Sequence, residues 1–149
     1  MRTIVITGTD RGLGHALAAL SLEAGDSVIA THREVKAAAL RSLAERFPER
    51  LSLVPLELGD AASIAAAARR IRELTSRVDV LLHNAGILGD IEFSVGDPEF
   101  DPDAVLETIR INTIGPLRVT HELWPLLVAG GGKLLVNISS EAGSNGHSS

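Results

Sequence analysis

A glycine run, two arginines, two asparagines and a pair of serines are the groups in this sequence best placed to do chemistry. The run Thr7-Gly8-Thr9-Asp10-Arg11-Gly12-Leu13-Gly14 joins an apolar stretch to a helical pattern. Glycine lets a backbone turn tightly and come close to a ligand, and a helix N-terminus offers free N–H groups and a positive dipole end. A glycine cluster alone reads equally well as a plain turn. In the first strand-to-helix turn of an alternating chain it reads as a phosphate cradle. Arg11 and Arg33 bring guanidinium groups that could pair with a phosphate or stand solvated at the surface. His83-Asn84-Ala85-Gly86 follows the fourth apolar run, and Asn112 sits within Ile-Asn-Thr-Ile-Gly-Pro. Asn137-Ile138-Ser139-Ser140 closes the fifth run. Taken singly, Asn112 is an amide that could bond to backbone, and the serines could form a turn after a strand.

Other chemistries fit poorly. There is no cysteine, so disulfides, thiolate nucleophiles and Cys-based metal sites are excluded. His15, His32, His83, His121 and His147 show no metal-ligand spacing, and His121-Glu122 does not continue into H-E-x-x-H. Ser140 has no G-x-S-x-G elbow around it, which argues against a hydrolase nucleophile. The net charge of −5 argues against a general nucleic-acid binder, which needs clustered positive charge. No apolar run approaches the length of a membrane span, and the run Ile4-Val5-Ile6 is cut short at Gly8, unlike a signal peptide. A cytoplasmic protein with no membrane partner is the resulting expectation.

The elements that must position these residues follow from the apolar pattern. Length and composition, with 149 residues and 45% hydrophobic content, predict one domain over 1–149. Short runs rich in Val, Ile and Leu at 3–7, 27–31, 51–57, 78–83 and 133–139 do not alternate, as expected of strands buried on both faces. Helical patterns lie between them, so the fold class is α/β with a doubly wound parallel sheet. One helix opens over 12–24, with Gly25 as its C-cap. A second covers 34–47, with Leu40, Leu43 and Phe47 on one face and Pro48 as a stop. The third is the alanine-rich 61–75. Asp101-Pro102 reads as an N-cap with proline at the first helical position of a helix to about Asn112. Another starts at Pro116 and is bent or ended near Pro125. Leu123 and Trp124 on that helix read as core or interface packing. The irregular 89–102 stretch should lie over the carboxyl ends of the strands, as a lid or as a plain connection.

The spacing Gly8-x-x-x-Gly12-x-Gly14 differs from the G-x-G-x-x-G fingerprint and resembles the T-G-x-x-x-G-x-G loop of the short-chain dehydrogenase/reductase family. His83-Asn84-Ala85-Gly86 resembles that family's N-N-A-G, with histidine in the first place. Asn112 resembles its helix asparagine, and Asn137-Ile138-Ser139-Ser140 its serine motif. Leu56-Glu57-Leu58-Gly59-Asp60 is similar to its adenine-contacting segment, with Glu57 where aspartate is usual. The resemblance implies a Rossmann-like sheet, incomplete on its C-terminal side, that binds a nicotinamide dinucleotide. Gly8, Asp10, Arg11, Gly12, Leu13, Gly14, Arg33, Leu58, Asn84, Ala85 and Gly86 are then its cofactor-binding residues. A carboxylate ending the second strand would favour NAD, but this strand ends Ala30-Thr31-His32-Arg33. Arg33 and Arg11 therefore favour NADP, with NAD the alternative because Glu34 follows at once.

The same resemblance implies hydride transfer between the nicotinamide and a carbonyl or alcohol carbon of a small-molecule substrate. Ser140 then orients the substrate oxygen, with Ser139 the fallback, and Asn112 helps position water and a lysine. The family's proton donor is a tyrosine, whose ordinary pKa of about 10 is lowered by a lysine on the same helix. This sequence contains no tyrosine, and its lysines, Lys36 and Lys133, stand in no Y-x-x-x-K motif. General acid–base catalysis is worth roughly 10²–10⁴-fold, so the 149 residues alone are expected to be inactive. The small and polar 143–149 stretch reads as a loop leading onward, and 133–139 as an apolar strand with an open edge that invites pairing. A full-length protein is expected to be a homo-oligomer. The rival expectations are a non-catalytic nucleotide-binding protein completed by a partner, and an inert fragment.

Overall fold

The computed structural model describes residues 1–33, 38–89 and 94–140. Strands and helices alternate as β1 (Thr3–Ile6), α1 (Gly12–Glu23), β2 (Ser27–His32), α2 (Ala38–Arg46), β3 (Leu51–Pro55), α3 (Ala61–Leu74) and β4 (Val80–His83). They continue as α4 (Pro102–Ile109), a π-helical turn (Arg110–Ile114), α5 (Gly115–Ala129) and β5 (Leu134–Asn137).

All five strands are parallel, in the order β3-β2-β1-β4-β5. Successive side chains of a strand point to opposite faces, and here both faces are apolar. Ile4, Ile6, Val28, Ala30 and Val80 pack on one side against Ala18 and Leu22 of α1 and Leu40 and Leu43 of α2. Val5, Ile29, Val54 and Leu81 pack on the other against Ile64, Ala67, Ala68 and Ile71 of α3 and Val119, Leu123, Leu126 and Leu127 of α5. This is the doubly wound arrangement expected from the non-alternating runs. The winding direction reverses between β1 and β4, and their carboxyl ends flank the crevice where such sheets take ligands.

The amino ends of the strands are pinned by two buried carboxylates. Asp26 accepts the Arg2 backbone N–H at 2.9 Å and its guanidinium at 2.6 Å. The Arg2 guanidinium is the main cause holding the Asp26 carboxyl below its usual value. Asp79 accepts N–H groups from Thr3 at 2.8 Å, Gly131 at 2.7 Å and Gly132 at 3.3 Å. The Thr3 amide leads in lowering its pKa. Asp26 thereby ties β1 to the start of β2, and Asp79 ties it to the start of β4 and to the turn before β5.

The helices after β4 depart from the expected plan. Asp101 does cap α4, accepting the Asp103 N–H at 2.9 Å. The chain then stays helical through Asn112 and Pro116, by way of the π-helical turn, where a break was expected. Pro116 falls at the start of α5, directly after the π-helical turn, and offers no N–H to the helical turn before it. Pro125 lies inside α5 without ending it. The buried Leu123, Leu126 and Leu127 around it offset a proline penalty of about 3 kcal/mol. Among the described residues β5 pairs only with β4, and Leu134 and Leu135 are 49% and 42% exposed. Parts of three expectations, residues 34–37 of the second helix, 90–93 of the irregular stretch and the 143–149 loop, lie outside the described residues.

Candidate cofactor site

A cavity of about 670 Å³ opens at the carboxyl ends of β1, β2, β3 and β4. Of the residues expected to bind cofactor, Gly8, Asp10, Arg11, Gly12, Arg33, Leu58, Asn84, Ala85 and Gly86 line it. Thr31, His32, Leu56, Glu57, Ile87 and Ile111 line it as well. These six come from the ends of β2, β3 and β4 and from the π-helical turn. No motif marks most of them, but their place at the ends of adjacent parallel strands is the signal that finds them.

The floor is built by one threonine and one asparagine. Thr7 is fully buried, and its hydroxyl accepts the backbone N–H groups of Asn84 and Ala85, both at 3.1 Å. The Asn84 amide donates in return to the carbonyls of Thr7 and Gly8, both at 3.0 Å. This side chain therefore locks the glycine turn to β4. What the cavity meets at Asn84 to Gly86 is largely backbone. Thr9 does the same toward β2, its N–H and its hydroxyl both donating to the Thr31 carbonyl at 3.0 Å.

Two glycines are required by these contacts. Gly8 has φ +72°, and a Cβ there would lie 2.8 Å from the Cα of Ala85. Gly14 is buried, and a Cβ there would collide with the Gly8 carbonyl and the Asn84 amide. Gly14 thus serves the cradle by letting α1 start close beneath the turn and does not line the cavity. Leu13 does not line it either and is 53% exposed.

The first turn of α1 has no side-chain cap and no acidic residue, whereas α3 and α4 are capped by Asp60 and Asp101. Its N–H groups and positive dipole end could receive an anion. Arg11 and Arg33 lie on the cavity wall, and β2 contributes no carboxylate there. His32 is almost wholly buried, and its Nδ1 has no hydrogen-bond partner among the described residues. A glycine cradle that a Cβ would fill, an uncapped helix start and two arginines fit the diphosphate and phosphate groups of a dinucleotide.

Asn112 does not line the cavity. Its side chain bonds both backbone groups of Ile87, which does. Ser139 and Ser140 lie exposed beyond the end of β5 and are likewise outside the lining. His83, in the first place of the H-N-A-G sequence, is buried with Nε2 2.8 Å from the Thr120 hydroxyl on α5. Burial lowers its pKa to about 4, so the ring is neutral near pH 7. Among the described residues no group of three or more His, Asp or Glu side chains could hold a metal ion.

The family model described as short chain dehydrogenase matches residues 2–149. The chain belongs to the short chain dehydrogenase family. A short chain dehydrogenase of Monascus ruber is 31% identical over 148 residues, covering 95% of this chain and 48% of that protein. The chain spans about half the length, or less, of its curated relatives. The NADPH-bound carbonyl reductase from chicken fatty liver superposes with a TM-score of 0.86 at 32% identity. That match covers 99% of this chain and 60% of the reductase. A short-chain dehydrogenase/reductase from Burkholderia multivorans with bound NADP gives a TM-score of 0.80 at 32% identity, over 99% of this chain and 63% of that one. Short chain dehydrogenases are oxidoreductases, and the five-stranded parallel sheet seen here is the part of their fold that this chain shares with both structures.

Proposed function

We propose that this chain is the dinucleotide-binding part of an NADP(H)-dependent oxidoreductase acting on a small carbonyl or alcohol. The observation that carries this reading is the uncapped start of α1 beneath the Gly8 turn, opening on a cavity walled by Arg11 and Arg33. Gly8 and Gly12 would admit the diphosphate, the two arginines would pair with a 2′-phosphate, and Leu58 and Ile87 would flank the cofactor's apolar parts. The nicotinamide, when bound, supplies the hydride chemistry. The protein's part is to hold and orient it. Asn112 acts here through Ile87, and Ser140 is the residue proposed to orient the substrate oxygen. NAD is the alternative cofactor.

The sequence holds no tyrosine to move the proton, so these 149 residues are proposed to bind cofactor without efficient turnover. A second reading, a nucleotide-binding chain completed by a partner, draws on the exposed Leu134 and Leu135 of β5. Among the described residues no helix is long and apolar enough to cross a membrane. The test is an equilibrium titration of the purified chain with NADPH and NADH, followed by carbonyl reduction assays. Saturable NADPH binding supports the cofactor reading, and its absence overturns it. Turnover at rates usual for the family would overturn the proposal that the chain alone is inactive.

A further inference from the structure

The end of β2 contributes no carboxylate of its own, yet one stands beside it. Asp10, in the turn after β1, accepts the Arg33 backbone N–H through Oδ2 at 3.2 Å. Asp10, Arg11 and Arg33 all line the same cavity. The turn is fixed in this position by the neighbouring residue, because the Thr9 N–H and hydroxyl both bond the Thr31 carbonyl at 3.0 Å. Asp10 is therefore delivered to the residue that follows β2, among the groups that would meet the 2′ position of an adenine ribose.

We propose that Asp10 is a specificity-determining residue. It is a carboxylate supplied by the glycine turn that favours a ribose hydroxyl and opposes a 2′-phosphate, so that the cavity takes NADH as well as NADPH. This rests on the reading of the cavity as a nicotinamide dinucleotide site. A carboxylate accepts a hydrogen bond from a hydroxyl, but beside a phosphate it is a like charge. Arg11 and Arg33 draw the phosphate in, and Asp10 cancels part of that attraction. The strand lacks the usual acidic discriminator, and the first turn puts one back.

Asp10→Asn removes the charge and keeps an oxygen to accept the Arg33 N–H. The affinity of the full chain for NADPH and NADH is read by fluorescence titration at low and at physiological salt. NADPH should bind about three- to tenfold more tightly to the variant, less so at high salt, as expected of one partly screened like charge. NADH should bind equally or more weakly. Asp10→Ser, which also keeps an acceptor without charge, guards against a fold effect specific to asparagine. If NADPH binds no more tightly to either variant while the wild type binds both cofactors, Asp10 does not discriminate and the proposal fails. If the wild type binds neither cofactor, the reading of the cavity fails first and the inference with it.

Discussion

The side chain of Asn112 brackets the backbone of Ile87, accepting its N–H at 2.8 Å through Oδ1 and donating to its carbonyl at 2.7 Å through Nδ2. One amide on the π-helical turn thus does the work of a neighbouring strand for a residue that has none. Asn112→Ala should free the 84–87 segment on the cavity wall. The expected result is weaker NADPH binding, by about threefold or more, with roughly 1 kcal/mol lost in stability for an exposed pair of bonds. Unchanged affinity in a titration would separate Asn112 from the cofactor site.

Gly14→Ala should be far more damaging than its size suggests. The added methyl meets the Gly8 carbonyl and the Asn84 amide, and both belong to the lock between β1 and β4. Overpacking of this kind costs about 1–3 kcal/mol. Denaturant unfolding should show a loss in that range, and cofactor binding should fall with it. Gly12→Ala is the control for space, since a Cβ there meets nothing within 4 Å, although its φ of +59° still adds strain.

Arg33→Ala should separate the two cofactors. Its backbone N–H, which donates to Asp10, is retained, so the turn stays in place. Loss of a guanidinium facing a phosphate should weaken NADPH by about tenfold at low salt and leave NADH within about twofold. Equal losses for both would show that Arg33 supports the cavity in some general way and does not read the 2′ position.

His83 should make the fold sensitive to mild acid. Its folded pKa, lowered by burial to about 4, lies below the ordinary 6.5, so the unfolded chain takes up this proton first. Stability from this group is complete above about pH 6.5, falls as pH drops toward 4, and is then flat, for a loss of up to about 3 kcal/mol. Further loss below pH 4 belongs to Asp26 and Asp79, whose lowered carboxyl pKa values contribute stability only above them. His83→Asn should flatten the upper part of the curve and leave the lower part. Urea midpoints measured from pH 7 to 4.5 decide this, and identical slopes in the two proteins would count against it.

Much of this arrangement was legible in the residues. Non-alternating runs such as Ile4-Val5-Ile6 and Val80-Leu81-Leu82 placed the sheet, because a strand covered on both faces has no polar side to show. The glycine spacing placed the cradle, and Asp101 placed a helix start. The helical passage from Arg110 to Gly115 was not legible, since Asn and Gly-Pro are ordinary stop signals, and the packing of Ile111 on the core and the bonds of Asn112 to Ile87 are contacts made in the folded chain. The roles within the site were also hidden. Asn84 and Gly14 belong to the cradle by motif, but only the folded chain shows that the Asn84 amide ties the glycine turn to β4 and that Gly14 lies behind the turn, outside the lining.

The π-helical turn between α4 and α5 amounts to a change of phase. An inserted residue turns everything beyond it by about 100° around the helix axis. Leu123, Leu126 and Leu127 face the sheet on the far side of that offset, whereas α4 buries none of its residues. Deleting a single residue from Arg110–Ile114 would therefore act like a gear slipping one tooth. The exposed Trp124 and Val128 would swing into the places of Leu123 and Leu127, Leu127 would take that of Leu126, and Leu123 and Leu126 would turn outward.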